Sequence, residues 1–285
     1  MIKKLLEDHI RKNVSDDKVA LLISGGVDSI SVGLAAHYVG KKVHGYSFCL
    51  DSHESSDFKA AREVCKQMKW DFTEIIVPTN NLVDDWHRLV KHGCRKKTHF
   101  EAAVYPFLYV YPRIIEKYVC SGWIADGYFQ PGKTASMRYT SFSKAKQYMK
   151  AYREGKAPRV TWNQQRLNYI DGDCAGLKQH TKLAESHNKV HITPYGDKKI
   201  REYLMAMSWK ELNKPRQKEI IRRDFTELEN FGTIKPHQNL HLNAGIDKLF
   251  KTLLNNPEIN FNERKRMMDV CRDWYKKENS SVLPI

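Results

Sequence analysis

Apolar positions in the first half of the chain alternate between two kinds of run. Val19–Ile23, Lys42–Leu50, Asp71–Val77 and Tyr118–Ile124 are short, rich in β-branched and aromatic residues, and bounded by turn or charged residues, which predicts strands. Pro78 stops the third of them. Between them, apolar residues recur every three or four positions, which predicts helices over Asp28–Val39, Ser55–Lys69, Asn81–Lys91 and Phe100–Lys117. Pro106 and Pro112 interrupt the last of these. Residues 1–18 set apolar positions among charges at helical spacing, an amphipathic helix rather than a secretory leader, which needs an unbroken apolar stretch. Strands separated by helices imply right-handed βαβ units and a parallel sheet. The last third reads as helical over Asp197–Trp209, Lys214–Glu229, Ala244–Asn255 (with Asn243 as its cap) and Asn262–Lys277. The expected fold is therefore α/β, a doubly wound parallel sheet with a C-terminal helical region.

Six residues between the first strand and its helix carry the most chemistry: Ser24-Gly25-Gly26-Val27-Asp28-Ser29. A strand-to-helix turn of glycine and hydroxyl residues gathers backbone N–H groups and a helix N-terminus at one point, which attracts phosphate. Gly25 and Gly26 let a ligand approach the backbone, and Ser24 and Ser29 add hydroxyls. Asp28 would repel a triphosphate unless Mg²⁺ lay between them, so it is read as a metal–pyrophosphate contact. In the plainer reading Asp28 and Ser29 only cap the helix.

The hexamer resembles the SGGxDS signature of the PP-loop ATP pyrophosphatases. That resemblance implies cleavage of ATP to AMP and pyrophosphate, with Mg²⁺, and adenylation of an acceptor. Within that superfamily the chain is most similar to the synthetase domain of asparagine synthetase. Ser47-Phe48-Cys49-Leu50-Asp51, then Asp57 and Ala60-Ala61-Arg62-Glu63-Val64, resemble its second strand end and helix. Ser121-Gly122-Trp123-Ile124-Ala125-Asp126-Gly127-Tyr128 resembles its GEGADELFGGY segment, with Gly127 where an acid is usual. Ile192-Thr193-Pro194-Tyr195-Gly196-Asp197 resembles its PFLD segment, and Lys218-Glu219-Ile220-Ile221-Arg222 its KxxLR segment.

The resemblance implies the following roles. Tyr46, Ser47 and Phe48 hold adenine through their backbone. Ser24, Gly25, Gly26, Ser29, Gly122 and Lys133 bind nucleotide. Asp28 and Asp126 hold Mg²⁺. Lys218, with Asp126 and Lys235 as further catalytic candidates, stabilises the charge that builds on phosphorus. Residues 1–130 would form the ATP-binding α/β domain, and 131–285 a basic lid and helical region completing the site. About twenty residues precede the first strand and residue two is Ile2, which leaves no room for the family's glutaminase domain. Ammonia or an amine would then come from elsewhere, and Gly127 puts aspartate as acceptor in question.

Composition changes this picture in one respect. The chain has 285 residues, ordinary hydrophobic content, and no apolar run near the ~20 residues of a membrane span, so a cytoplasmic protein without a membrane partner is expected. Its formal charge of +15, however, favours a polyanionic partner. Lys133–Arg166 holds nine Lys or Arg against one acid, Glu154, with Tyr139, Phe142, Tyr148, Tyr152 and Trp162 interleaved. That pattern suits phosphate contacts and base stacking on tRNA or DNA, or a lid over ATP, or a solvated helix. The acceptor is thus either a small molecule or a base in nucleic acid, and a non-catalytic nucleotide or nucleic-acid binding module is a third alternative. Six scattered cysteines form no CxxC pair, which argues against a zinc knuckle or iron–sulfur site. Cys120 and Cys174 are the thiols to test should the chemistry be thiolation.

Overall fold

A computed structural model of the chain describes residues 1–94, 104–129, 166–167, 170–171, 176–232 and 240–254. Helix α1 spans Ile2–Asn13, β1 Lys18–Leu22, α2 Val27–Tyr38, β2 Lys42–Leu50, α3 Ser56–Met68, β3 Asp71–Val77 and α4 Leu82–Lys91. The short α5 (Phe107–Val110) leads through a 3₁₀ turn to β4 (Tyr118–Ser121) and α6 (Ala125–Phe129). Then come α7 (Leu177–Ser186), β5 (Val190–Ile192), α8 (Lys198–Met205), α9 (Trp209–Asn213), α10 (Glu219–Asp224), α11 (Leu240–Asn243) and α12 (Ile246–Leu254).

The five strands form one sheet in the order β3-β2-β1-β4-β5, every pair parallel. The order reverses between β1 and β4, so the crevice at their carboxyl ends is the topological switch point. One face buries Leu22, Tyr46, Phe48, Ile75 and Val119 under α4, α5, α7 and α12. The other buries Val19, Leu21, Ile23 and Cys120 under α1, α2, α6, α8 and α10. In α1, Ile2, Leu6 and Ile10 recur every four residues, and all three are fully buried. At about 1.5–3 kcal/mol per buried aliphatic side chain, this stripe fixes α1 against α2, α8 and α10. Among the described residues, no helix is long and apolar enough to cross a membrane.

Several expected elements change. In the described part of the helix expected over Phe100–Lys117, residues 104–117, the named helical elements are α5 and a 3₁₀ turn at Tyr111–Arg113: Pro106 stands immediately before α5 and Pro112 within the turn. Strand β4 ends at Ser121 rather than Ile124, because Ile124 takes φ +75° and turns the chain into α6. The span Lys214–Glu229 holds α10 and a 3₁₀ segment, Thr226–Asn230, rather than one helix. Asn243 does not cap α12: it ends α11, and its Oδ1 accepts from Ser56 Oγ at 3.0 Å. Helices α6, α7, α9 and α11 and strand β5 are additions to the expected set. Lys133, Lys235, Cys174, the span Asn262–Lys277 and nearly all of Lys133–Arg166 lie outside the described residues. Arg166 itself is buried, and its guanidinium donates to the carbonyls of Leu204 and Met205 at 3.0 and 3.1 Å, closing the C-terminus of α8.

Candidate active site

The loop between β1 and α2 is held by its own hydroxyls. Ser24 N–H donates to Ser29 Oγ at 3.2 Å, and Ser29 Oγ donates to the Gly26 carbonyl at 3.1 Å. Gly25 has φ +69°, and a Cβ there would lie 2.4 Å from Ala60 Cβ and 2.9 Å from α3 backbone. Gly25 therefore serves the packing of the loop on α3 rather than a ligand's approach. Gly26 differs. Its φ is −85°, and a Cβ there would meet only Ser24 Oγ, at an ordinary 3.4 Å. Of the two glycines, it is Gly26 whose bareness the protein's own packing leaves unexplained. No side chain caps the N-terminus of α2, and its first N–H groups have no partners within the helix.

The second loop at the switch point joins β4 to α6. A Cβ on Gly122 would lie 2.7 Å from the carbonyl carbon of Asp28 and the nitrogen of Ser29. Only glycine lets the two loops touch here. Gly122 thus brings Asp126, in the first turn of α6, beside Asp28, in the first turn of α2.

Lys218 closes the cluster from the other half of the chain. It is buried, and its ammonium pairs with Asp28 Oδ2 and, at 2.7 Å, with Asp126 Oδ1. Burial pushes the ammonium's pKa down, yet the charges and hydrogen bonds of Asp126 and Asp28 outweigh it and hold the group above the ordinary lysine range. Tyr195 lies alongside, its hydroxyl 2.7 Å from Ser31 Oγ. Burial, together with the negative charge of Asp28, raises the phenol well above its usual range. Asp197 caps α8 through the Lys199 and Ile200 N–H groups and pairs with His9, so it is a structural residue.

On β2, the Tyr46 carbonyl accepts from Ile23 N–H at 3.0 Å. Strand alternation puts the N–H and C=O of Phe48 on that same edge, beyond Leu22, the end of β1. The Tyr46 carbonyl is thus taken up by the β1–β2 ladder and Ser47 pairs toward Glu74 of β3; the Tyr46 and Phe48 side chains are buried in the core, which leaves the Phe48 backbone at that edge. Cys120 is fully buried, and burial raises its thiol to about 12, which removes the thiolate a thiolation step needs.

Asp28, Asp126, Lys218, Gly122 and the Ser24–Ser29 loop thus meet at one point. Residues 1–228 match the asparagine synthase family. The chain belongs to that family. Members carry a PP-loop nucleotide-binding domain, and the all-parallel sheet with its loop after β1 is that domain. Solved structures similar to the chain include a predicted subunit of tRNA methyltransferase from Methanocaldococcus jannaschii, 13% identical over 78% of this chain and 94% of that one, TM-score 0.33. Another is the U34-tRNA thiolase NcsA from Methanococcus maripaludis with its [4Fe-4S] cluster, 13% identical over 98% of this chain and 79% of that one, TM-score 0.33. No curated protein matches the chain.

The donor set fits Mg²⁺. Two carboxylates already share one cation, and Mg²⁺ is held by one or two carboxylates together with substrate phosphates rather than by a full protein cage. Among the described residues, no group of three or more His, Cys, Asp or Glu could hold a metal by itself.

Proposed function

We propose that this member of the asparagine synthase family binds ATP with Mg²⁺ at the switch point and is an AMP-forming ligase that adenylates an acceptor, a carboxylate in the simplest case, for C–N bond formation. The observation that carries this reading is the convergence of Lys218 with Asp28 and Asp126 beside an uncapped α2 N-terminus.

Backbone at Phe48 receives adenine at the open edge of β2. The first N–H groups of α2 and the bare face of Gly26 receive the pyrophosphate end. Asp28 and Asp126, the carboxylates that Lys218 joins, would hold Mg²⁺, which when bound would supply positive charge to the phosphates. When an acceptor oxygen attacks the α-phosphorus, charge builds on the phosphoryl oxygens and on the departing pyrophosphate. The Lys218 ammonium, kept protonated by its carboxylate neighbours, is placed to stabilise that charge, and fixed groups of this kind carry most of the rate enhancement. An amine or ammonia then displaces AMP from the adenylate.

A base in tRNA or DNA is the alternative acceptor, favoured by the +15 charge and the basic, aromatic stretch Lys133–Arg166. Product analysis separates the readings. With ATP, Mg²⁺ and a panel of carboxylates plus ammonia, the proposal expects AMP and pyrophosphate; ADP and phosphate would refute it. Turnover only with tRNA or DNA, or nucleic acid that co-purifies with the protein, would move the acceptor to the second class. ATP binding without turnover on any acceptor would leave a binding module.

A further inference from the structure

Lys218 has an unusual backbone. Its φ is +61° and ψ 30°, in the left-handed region that a lysine seldom visits, and it stands immediately before α10. That conformation is strained for any residue but glycine and persists only where surroundings enforce it. The constraint is visible: Lys218 N–H donates to Asn213 Oδ1 at 3.0 Å, and both residues are buried. Asn213 is itself fixed, because it ends α9 and its Nδ2 donates to the Trp209 carbonyl at 3.3 Å within the same helix. Helix α9 is anchored in turn by a capping box, Ser208 with Glu211. The amide thus aims one acceptor at one N–H, five residues along the chain.

We infer that Asn213 is a positioning residue for the reaction: by holding the Lys218 backbone in its left-handed turn, it aims the ammonium at the Asp28–Asp126 pair. The catalytic role of Lys218 rests on the proposed ATP chemistry, whereas the positioning itself does not. Without the acceptor, a buried N–H loses its partner and the turn its reason to persist. Relaxation of Lys218 toward an ordinary conformation would then swing the side chain, and displacements near 1 Å at a reacting centre cost about 100-fold in rate.

The test uses the full chain with Asn213→Asp, which keeps an oxygen at the acceptor position, and Asn213→Ser, whose shorter side chain withdraws it. In ATP turnover, Asn213→Ser is expected to lower kcat about 10- to 100-fold with the KM for ATP within about threefold of native, and Asn213→Asp to recover most of kcat. A second readout needs no turnover. Crystal structures of the two variants should show Lys218 still in the left-handed region with its ammonium on Asp28 and Asp126 in Asn213→Asp, and its backbone relaxed with the ammonium displaced in Asn213→Ser. Equal kcat and an unchanged Lys218 conformation in the Asp and Ser variants would overturn the inference. Absence of ATP turnover in every form would instead overturn the proposed function and leave the variant structures to decide the positioning.

Discussion

The three glycines of the paired loops make a graded experiment, because the structure assigns them different work. Replacing Gly25 by alanine drives a Cβ to within 2.4 Å of Ala60 Cβ and places alanine at φ +69°. Overpacking costs about 1–3 kcal/mol and the left-handed conformation about 1–2, so Gly25→Ala should lose about 2–5 kcal/mol. At roughly 2–4 °C per kcal/mol, the Tm falls by about 4–20 °C. Gly122→Ala carries only the overpacking penalty, about 1–3 kcal/mol. Its contacts, though, are backbone atoms of Asp28 and Ser29 at 2.7 Å, which can yield only by moving α2 away from Asp126. Gly26→Ala meets nothing closer than 3.4 Å in a φ region alanine accepts. It should hold the Tm steady or raise it, since loss of a glycine stabilises by about 0.4–1 kcal/mol through the unfolded chain. Thermal melts with and without Mg²⁺–ATP check all three. Gly26→Ala should keep its apo Tm and lose the nucleotide-dependent rise; a fall in apo Tm as large as that of Gly25→Ala would refute the division of labour.

Lys218→Met should lower kcat for ATP turnover about 100- to 1000-fold while the KM for ATP changes little, as expected of a group that acts on charge developing in the transition state; steady-state kinetics on both parameters checks this. His191 is partly buried, 2.9 Å from Ser121 Oγ, and desolvation, with His180 beside it, holds it well below the ordinary imidazole range. Its unfolded form gains a proton below about pH 6.5 and its folded form does not, so stability should fall by up to about 1.4 kcal/mol per pH unit as pH drops from there. Denaturant unfolding at pH 7, 6 and 5 should show a shallower fall for His191→Gln; an unchanged slope would contradict it. His92 and His187, also held low by burial, supply the slope that remains.

Much of the nucleotide-binding half was readable in advance because its signals are local. A run such as Asp71–Val77 ends where Pro78 stands, and β3 has those same bounds. The corner Ser24–Ser29 is punctuated by two glycines and two hydroxyls. Strand β5 is only three residues long, Val190-His191-Ile192, too short to set a period against its surroundings. It becomes a strand because β4 offers an edge to pair with. Periodicity over Phe100–Lys117 was the opposite case, where apolar content outvoted two prolines that in fact decide the chain's path. In the site, Asp28 is legible as an acid in a glycine turn, whereas Asp126 is legible only through the family pattern. That Lys218 reaches both from about 90 and 190 residues away is a property of tertiary packing. It was found through the family pattern. Nothing local marks Asn213, a lone amide at the end of a five-residue helix.

The central claim is that the corner after β1, Asp126 and Lys218 form one site for the triphosphate of ATP. A crystal structure with a non-hydrolysable α,β-methylene ATP analogue and Mn²⁺ tests it most directly. The account predicts an anomalous manganese peak bound by both Asp28 and Asp126, with the β- and γ-phosphates against Ser24–Ser29 and adenine at the Phe48 backbone. A nucleotide seated elsewhere, or a manganese peak that touches neither carboxylate, would contradict it.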